Sequence, residues 1–182
     1  MNHNDRTSVY RVDMEDHIVF VNDAWRHFAE ENCAEGLCDS SILGRSLWEF
    51  ISDPETRGIY QMLFHRVRQY GSVLQLPFRC DAPDERRHMR LTLTRGQDNG
   101  IELSVSTLRH EPRPAVSLLD PAVPRAEQLL HICSWCKRVE VEGQWLEVED
   151  AVSALQLFEH APVPGLSHGI CHYCLRGMGA DE

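Results

Sequence analysis

The chain of 182 residues has no apolar run approaching 18 residues, so no segment is expected to span a membrane. Its opening, Met1-Asn-His-Asn-Asp-Arg6, is polar and lacks a hydrophobic stretch, so it does not read as a signal peptide. Basic residues are scarce. Eighteen Lys and Arg stand against 28 Asp and Glu, for a net charge of -10. The deficit is even: 13 against 18 up to residue 111, and 5 against 10 beyond it. Neither part offers the basic surface that nucleic acid needs, and the local Lys137-Arg138 pair reads as a solvated turn. No Gly-rich phosphate loop ending in Lys-Ser/Thr is present, nor a Gly-x-Ser-x-Gly elbow. The adjacent carboxylates Glu30-Glu31 and Glu149-Asp150 fall on exposed helix faces or at helix starts, where they suit the helix dipole. Enzymatic activity is not expected.

What the chain does have is cysteine in a pattern. Four of its seven cysteines form two C-x-x-C pairs, Cys133-Ser-Trp-Cys136 and Cys171-His-Tyr-Cys174, with 34 residues between them. Two residues between cysteines let both sulfurs of a tight turn point at one centre. Two such turns supply four thiolates, a tetrahedral set suited to one Zn²⁺. Without an export signal the chain is assigned to a reducing cytoplasm, which favours metal over disulfides. Iron in a rubredoxin-like site is the competing reading. Iron knuckles usually place Gly after the second cysteine, and here Lys137 and Leu175 stand there, which argues for zinc. His131, His168 and His172 lie nearby. His168, three residues before Cys171, is the candidate for supporting the ligands or replacing one, although four cysteines already fill the shell. Cys33 and Cys38 have no matching pair, and Cys80 reads as core filler.

The rest follows from periodicity. Residues 8–12 and Ile18-Val-Phe-Val21 read as strands around a polar turn, Asp13–His17. Asn22-Asp23 begins a helix to about Asn32, with Trp25, Phe28 and Ala29 on one face. Gly44 marks a turn before a short helix ending near Ile51. Asp53-Pro54 starts a long helix that Gly71 stops, with an apolar stripe of Ile59, Leu63, Val67 and Tyr70. Three strands follow. Leu74, Leu76, Phe78 and Cys80 share a face of the first, and Pro77 suggests an edge. Met89, Leu91 and Leu93 alternate in the second, and Ile101, Leu103 and Val105 in the third. This predicts an α+β fold, an antiparallel meander covered by helices. Residues 112–126 are Pro-rich and read as a linker. Beyond them come the first cysteine pair, a hairpin over Val139–Val148, a helix from Glu149 to about His160, a break at Ala161–Gly165, and a last short helix, Tyr173–Met178.

Residues 6–111 resemble a PAS domain. The carrying stretches are Ile18-Val-Phe-Val-Asn-Asp-Ala-Trp25, Gly44-Arg-Ser-Leu-Trp-Glu-Phe-Ile51 and the final meander, in that order. Residues 127–180 resemble a treble-clef-like or zinc-ribbon module. Ile132–Arg138, the Trp145 segment and Ser167–Cys174 are also similar to a Cys-rich segment of bacterial PAS and receiver-type signalling proteins. These resemblances imply a sensory or protein-interaction module acting through protein partners, with homodimerisation through the PAS unit left open. No kinase catalytic domain follows the PAS unit. The alternatives are a thiol redox switch at the zinc-bound cysteines and an iron electron carrier. Haem-binding PAS domains use a His on the long helix. His65 lies about 240° from Ile59, opposite the stripe, so haem is not expected. No Asn-Cys-Arg-Phe-Leu string supports cysteinyl-flavin. Trp25, Trp48 and Met89 read as core, and any pocket in this unit is expected to be small and apolar.

Overall fold

The computed structural model describes residues 7–31, 39–51, 53–157 and 162–179. The paired spacing of Cys33 and Cys38 lies outside these residues, as do the expected helix ends at Asn32 and His160. Contacts divide the described chain into two units. The first is the chain up to Pro77 with Met89–Leu108; the second is Phe78–His88 with the chain from Arg109 on.

The first unit opens with β1 (Ser8–Val12) and β2 (Ile18–Val21), which pair antiparallel. The chain then passes through α1 (Asp23–Glu31), α2 (Asp39–Ile42) and a 3-10 turn, Leu47–Glu49, to α3 (Pro54–Tyr70). Three strands complete the sheet: β3 (Leu74–Arg79), β4 (Glu85–Arg95) and β5 (Ile101–Pro112). The strand order is β2-β1-β5-β4-β3, so the first hairpin pairs with the last strand and β3 is an outer strand, as Pro77 suggests. This is the expected α+β arrangement, an antiparallel sheet with helices.

The elements form where local chemistry directs. Ser46 and Glu49 cap the 3-10 turn reciprocally. Asp53 accepts from the Thr56 amide at 2.7 Å, Pro54 occupies the first turn, and Gly71 ends α3 at φ 64°. The buried face of α3 is Ile59, Leu63, Phe64 and Val67. Tyr70 leaves the expected stripe: at the helix end it is 73% exposed. Phe28 is likewise 41% exposed, although Ala29 beside it is buried. His65 is exposed. Tyr10 of β1 packs on Trp25 of α1, with rings 5.1 Å apart, and Trp48 packs on Phe64 of α3 at 5.6 Å. Burial pushes the Tyr60 phenol up to about 12 and the Tyr10 phenol well above its ordinary range. Arg68 of α3 donates to the Asp13 and Asn99 carbonyls and to the Asp16 carboxylate, which ties the helix to the β1–β2 turn. A cavity of about 660 Å³ opens between that turn and the β4–β5 loop. Its lining mixes charged residues, such as Arg11, Asp13 and Glu102, with apolar ones, such as Val12, Val19 and Ile101.

In the second unit the stretch expected as a linker is built into the structure. β5 runs to Pro112, a 3-10 turn covers Ser117–Leu119, and β6 (Arg125–Cys133) has begun by residue 125. Val116 and Leu118 are buried there with Leu130, Ile132, Val139, Val148 and Ala151. β7 (Val139–Val141) and β8 (Gln144–Leu146) form the expected hairpin. α4 (Val148–Ala154) is shorter than expected: the chain leaves the helix at Leu155, and Gln156 takes φ 55°. β9 (Val163–Gly169) stands where a break and loop were read, and α5 (His172–Gly177) follows. The sheet order is β8-β7-β6-β9, with β6 and β9 parallel.

Candidate metal centre

β6 and β9 lie side by side and run in the same direction, in register from Leu130 opposite Leu166 to Cys133 opposite Gly169. Each strand ends at the start of a C-x-x-C turn. A parallel pair carries both chains to the same end of the sheet, so the two turns, 34 residues apart in sequence, arrive together.

The ligand sulfurs of Cys133, Cys136, Cys171 and Cys174 all lie within 4.8 Å of one another. Cys133 and Cys171 are buried; Cys136 and Cys174 are partly exposed. The Sγ atoms of Cys136 and Cys171 are 3.7 Å apart. A tetrahedron with metal–sulfur bonds of about 2.3 Å has edges of about 3.8 Å. Backbone amides point at the sulfurs. Cys133 Sγ accepts from the Cys136 amide at 3.5 Å and the Cys171 amide at 3.4 Å, and Cys171 Sγ accepts from the Cys174 amide at 3.4 Å. Cys171 thereby caps α5. Amide donors spread the charge of a thiolate and fix where its sulfur points.

The donor set calls for a cation. Hydrogen bonds from the Cys136 and Cys174 thiols hold Cys133 far below the ordinary thiol range. The same contact with Cys133 pushes Cys136 up to about 12, and Cys174 is raised by its bonds to both neighbours. One negative charge in this cluster resists a second; a divalent ion removes that resistance and favours all four thiolates. Four cysteines are therefore positioned to bind a metal ion, and the residues fit it.

The nearby histidines stand apart. His168 is exposed on β9, opposite Ile132, and is not one of the clustered four. His131 is exposed and its Nδ1 lies 3.5 Å from Glu140. His172 begins α5 with its ring 3.9 Å from that of Tyr173. Lys137 takes φ 62°, the left-handed turn that Gly would make after the second cysteine. Its amide still reaches the Cys133 carbonyl at 2.9 Å. The missing glycine therefore does not separate zinc from iron.

Sequence reasoning missed the residues around the first turn. Trp135 is buried and packs on Phe78, with rings 5.8 Å apart. Arg79 is buried where alternation put Cys80. It donates to Asp81 and Glu147, and Glu147 also accepts from Arg138 Nε at 3.0 Å. Burial works against the Arg79 charge, and the two carboxylates outweigh it, raising its pKa. Glu149 accepts from Arg86 at 2.7 Å and Arg113 at 2.9 Å, which overcome burial and hold it at about 2. Only the position of Trp135 inside C-x-x-C was visible beforehand; Arg79 with Glu147, and Arg86 and Arg113 with Glu149, join residues more than 30 apart.

No family model matches the chain, and no curated protein matches it. Similar solved structures include the PAS domain of BvgS from Bordetella pertussis, at 18% identity and TM-score 0.44 over 57% of this chain and 78% of that one. A C-terminal domain from Streptococcus mutans is similar at 17% identity and TM-score 0.42, over 57% of this chain and 77% of that one. Neither likeness bears on what this chain binds. Among the described residues no helix is long and apolar enough to cross a membrane.

Proposed function

We propose that the chain is a non-enzymatic, cytoplasmic signalling or protein-interaction module of bacterial type, a PAS-like sensor unit joined to a unit built on one structural zinc. The observation that carries this reading is the closed set of four sulfurs within 4.8 Å, supported by backbone amides. Structural zinc sites are four-coordinate and leave no position for substrate, and their binding energy is folding energy. The PAS-like sheet and helices support the sensory part, with a protein as the output partner. Elemental analysis of protein purified without a tag is expected to give one zinc per chain for wild type and none for Cys171→Ser. Iron in place of zinc, or the same zinc content in the variant, overturns the reading.

A redox switch is the second reading, favoured by the partial exposure of Cys136 and its 3.7 Å approach to Cys171. Peroxide would take two electrons from these two thiolates, joining them as a disulfide, ending as water and leaving the ion two ligands short. Zinc release at stoichiometric peroxide, reversed by a thiol reductant, supports the switch; release only in large excess rejects it.

A further inference from the structure

The first cysteine turn does more than present two sulfurs. β3 is an outer strand, so the N–H groups on its free edge face no neighbouring strand. The Cys80 amide points inward, to the Arg87 carbonyl of β4 at 3.0 Å. The Arg79 amide points the other way and donates to the Trp135 carbonyl at 2.8 Å. Trp135 lies inside the turn Cys133–Cys136, and its ring covers Phe78. The Arg79 side chain is held from the same segment, because Glu147 binds both Arg79 and Arg138, the second residue after Cys136. Thus an amide and a ring at the end of β3 meet the six-residue stretch Cys133–Arg138 directly, and a guanidinium reaches it through Glu147; two residues of that stretch belong to the cysteine cluster.

We propose that the metal state of the four-cysteine site controls the free edge of β3. Loaded, the turn caps the Phe78–Arg79 end. Unloaded, the turn relaxes, the cap is released, and the Arg79 amide at the end of β3 loses its partner. This rests on reading the four cysteines as a metal site and adds a consequence for a strand that carries no ligand. The physical reason is the shape of the turn. Two sulfurs on one ion fix both ends of Cys133–Cys136, and with them the direction of the Trp135 carbonyl. Without the ion, no bond joins the four sulfurs, and the turn loses the anchor at both of its ends.

Residue-level amide exchange on the full chain, zinc-loaded and after chelation, tests the inference. Removal of zinc is expected to speed exchange at Arg79 by about tenfold or more, the scale of one net hydrogen bond, and zinc restores the slow rate. The amides of Tyr10 and Val12 in β1 serve as the reference and stay unchanged. Bound zinc with no change at Arg79 on its removal overturns the coupling and leaves the metal site standing. A chain that binds no metal overturns both.

Discussion

The two units of this chain reach stability by different means. The first builds a conventional core. Leu63, Val67, Leu93 and Leu103 are fully buried there, and Phe64, Leu91 and Ile101 are 1% exposed. A largely covered ion pair, Arg68 with Asp16, fastens a helix to a turn. Among the described residues the second has an apolar cluster of seven buried aliphatic residues, with partly buried ones such as Leu146 and Leu166 packed against it. Around them stands a chain of charges running from Arg138 through Glu147, Arg79, Asp81, Arg113 and Glu149 to Arg86. Beside it sits the sulfur cluster. Small units bury too little surface to close the balance by burial alone, and metal sites commonly make up the difference. The first unit is thus held chiefly by packing, while the second adds a charge network and four cysteines positioned to bind a metal ion.

Chelation should break that comparison most visibly. Structural zinc contributes on the order of 10 kcal/mol to modules of this kind, more than a small apolar cluster supplies. Removing it is expected to unfold or loosen the second unit while the first keeps its cooperative melting, read by amide exchange at β6–β9 against β1–β2. The converse is Leu63→Ala. Leu63 is fully buried on α3, so the variant should lose about 2–5 kcal/mol in the first unit and bind metal as before. Urea melting with metal analysis checks both halves. If chelation destabilised β1–β2 as strongly as β6–β9, the two units would not be energetically distinct.

Charge comes next. Glu149 is held at about 2, below the ordinary carboxylate value of 4.5. A depressed pKa of this kind stabilises the fold above the unfolded value and loses its effect as pH falls through the folded value. Its contribution is therefore complete above about pH 4.5 and fades toward pH 2. With the side chain 29% exposed, about 1–2 kcal/mol is expected after screening. The difference in urea midpoint between wild type and Glu149→Gln should be full at pH 6 and shrink as pH is lowered to 3. Taking the difference cancels the acid sensitivity of the thiolates, which both proteins share. A gap constant across that range would place the stabilisation in contacts other than the carboxylate charge.

The same contrast decides what could be read in advance. In the first unit, alternation and helical stripes located β1, β2, α1, α3, β4 and β5, because burial there follows local pattern. In the second, the cysteine spacing announced the ligands but not the scaffold that brings them together. β9 reads Val-Pro-Gly-Leu-Ser-His-Gly, a composition that argues against a strand. It is one because it is an outer strand, where Pro164 needs no donor. β6 begins inside a Pro-rich stretch whose Val116 and Leu118 turn into the core. Arg79 defeats alternation because its partners, Asp81 and Glu147, make a buried charge acceptable, and Glu147 lies 68 residues away.

The smallest expected effect concerns Lys137, and it sharpens what the cysteine turn demands of the backbone. Lys137 holds φ 62° immediately after the second ligand, a conformation that costs an ordinary residue about 1 kcal/mol or more. The turn keeps it there through two contacts: its amide on the Cys133 carbonyl at 2.9 Å, and its Nζ on the Ser134 carbonyl at 2.9 Å. Glycine would relieve the strain but forfeit the second contact and add freedom to the unfolded chain. The opposed terms leave Lys137→Gly stabilised by about 0.5 kcal/mol, since the Nζ contact is partly solvated and weak. Lys137→Val loses the same contact and has a β-branched side chain that fits the left-handed region badly, so it should fall by about 1–2 kcal/mol. Urea melting of the zinc-loaded proteins, with metal content measured in parallel, gives the order Gly, Lys, Val. If valine were as stable as lysine, the turn would not need the left-handed residue, and the amide-to-sulfur geometry would be set by the metal alone.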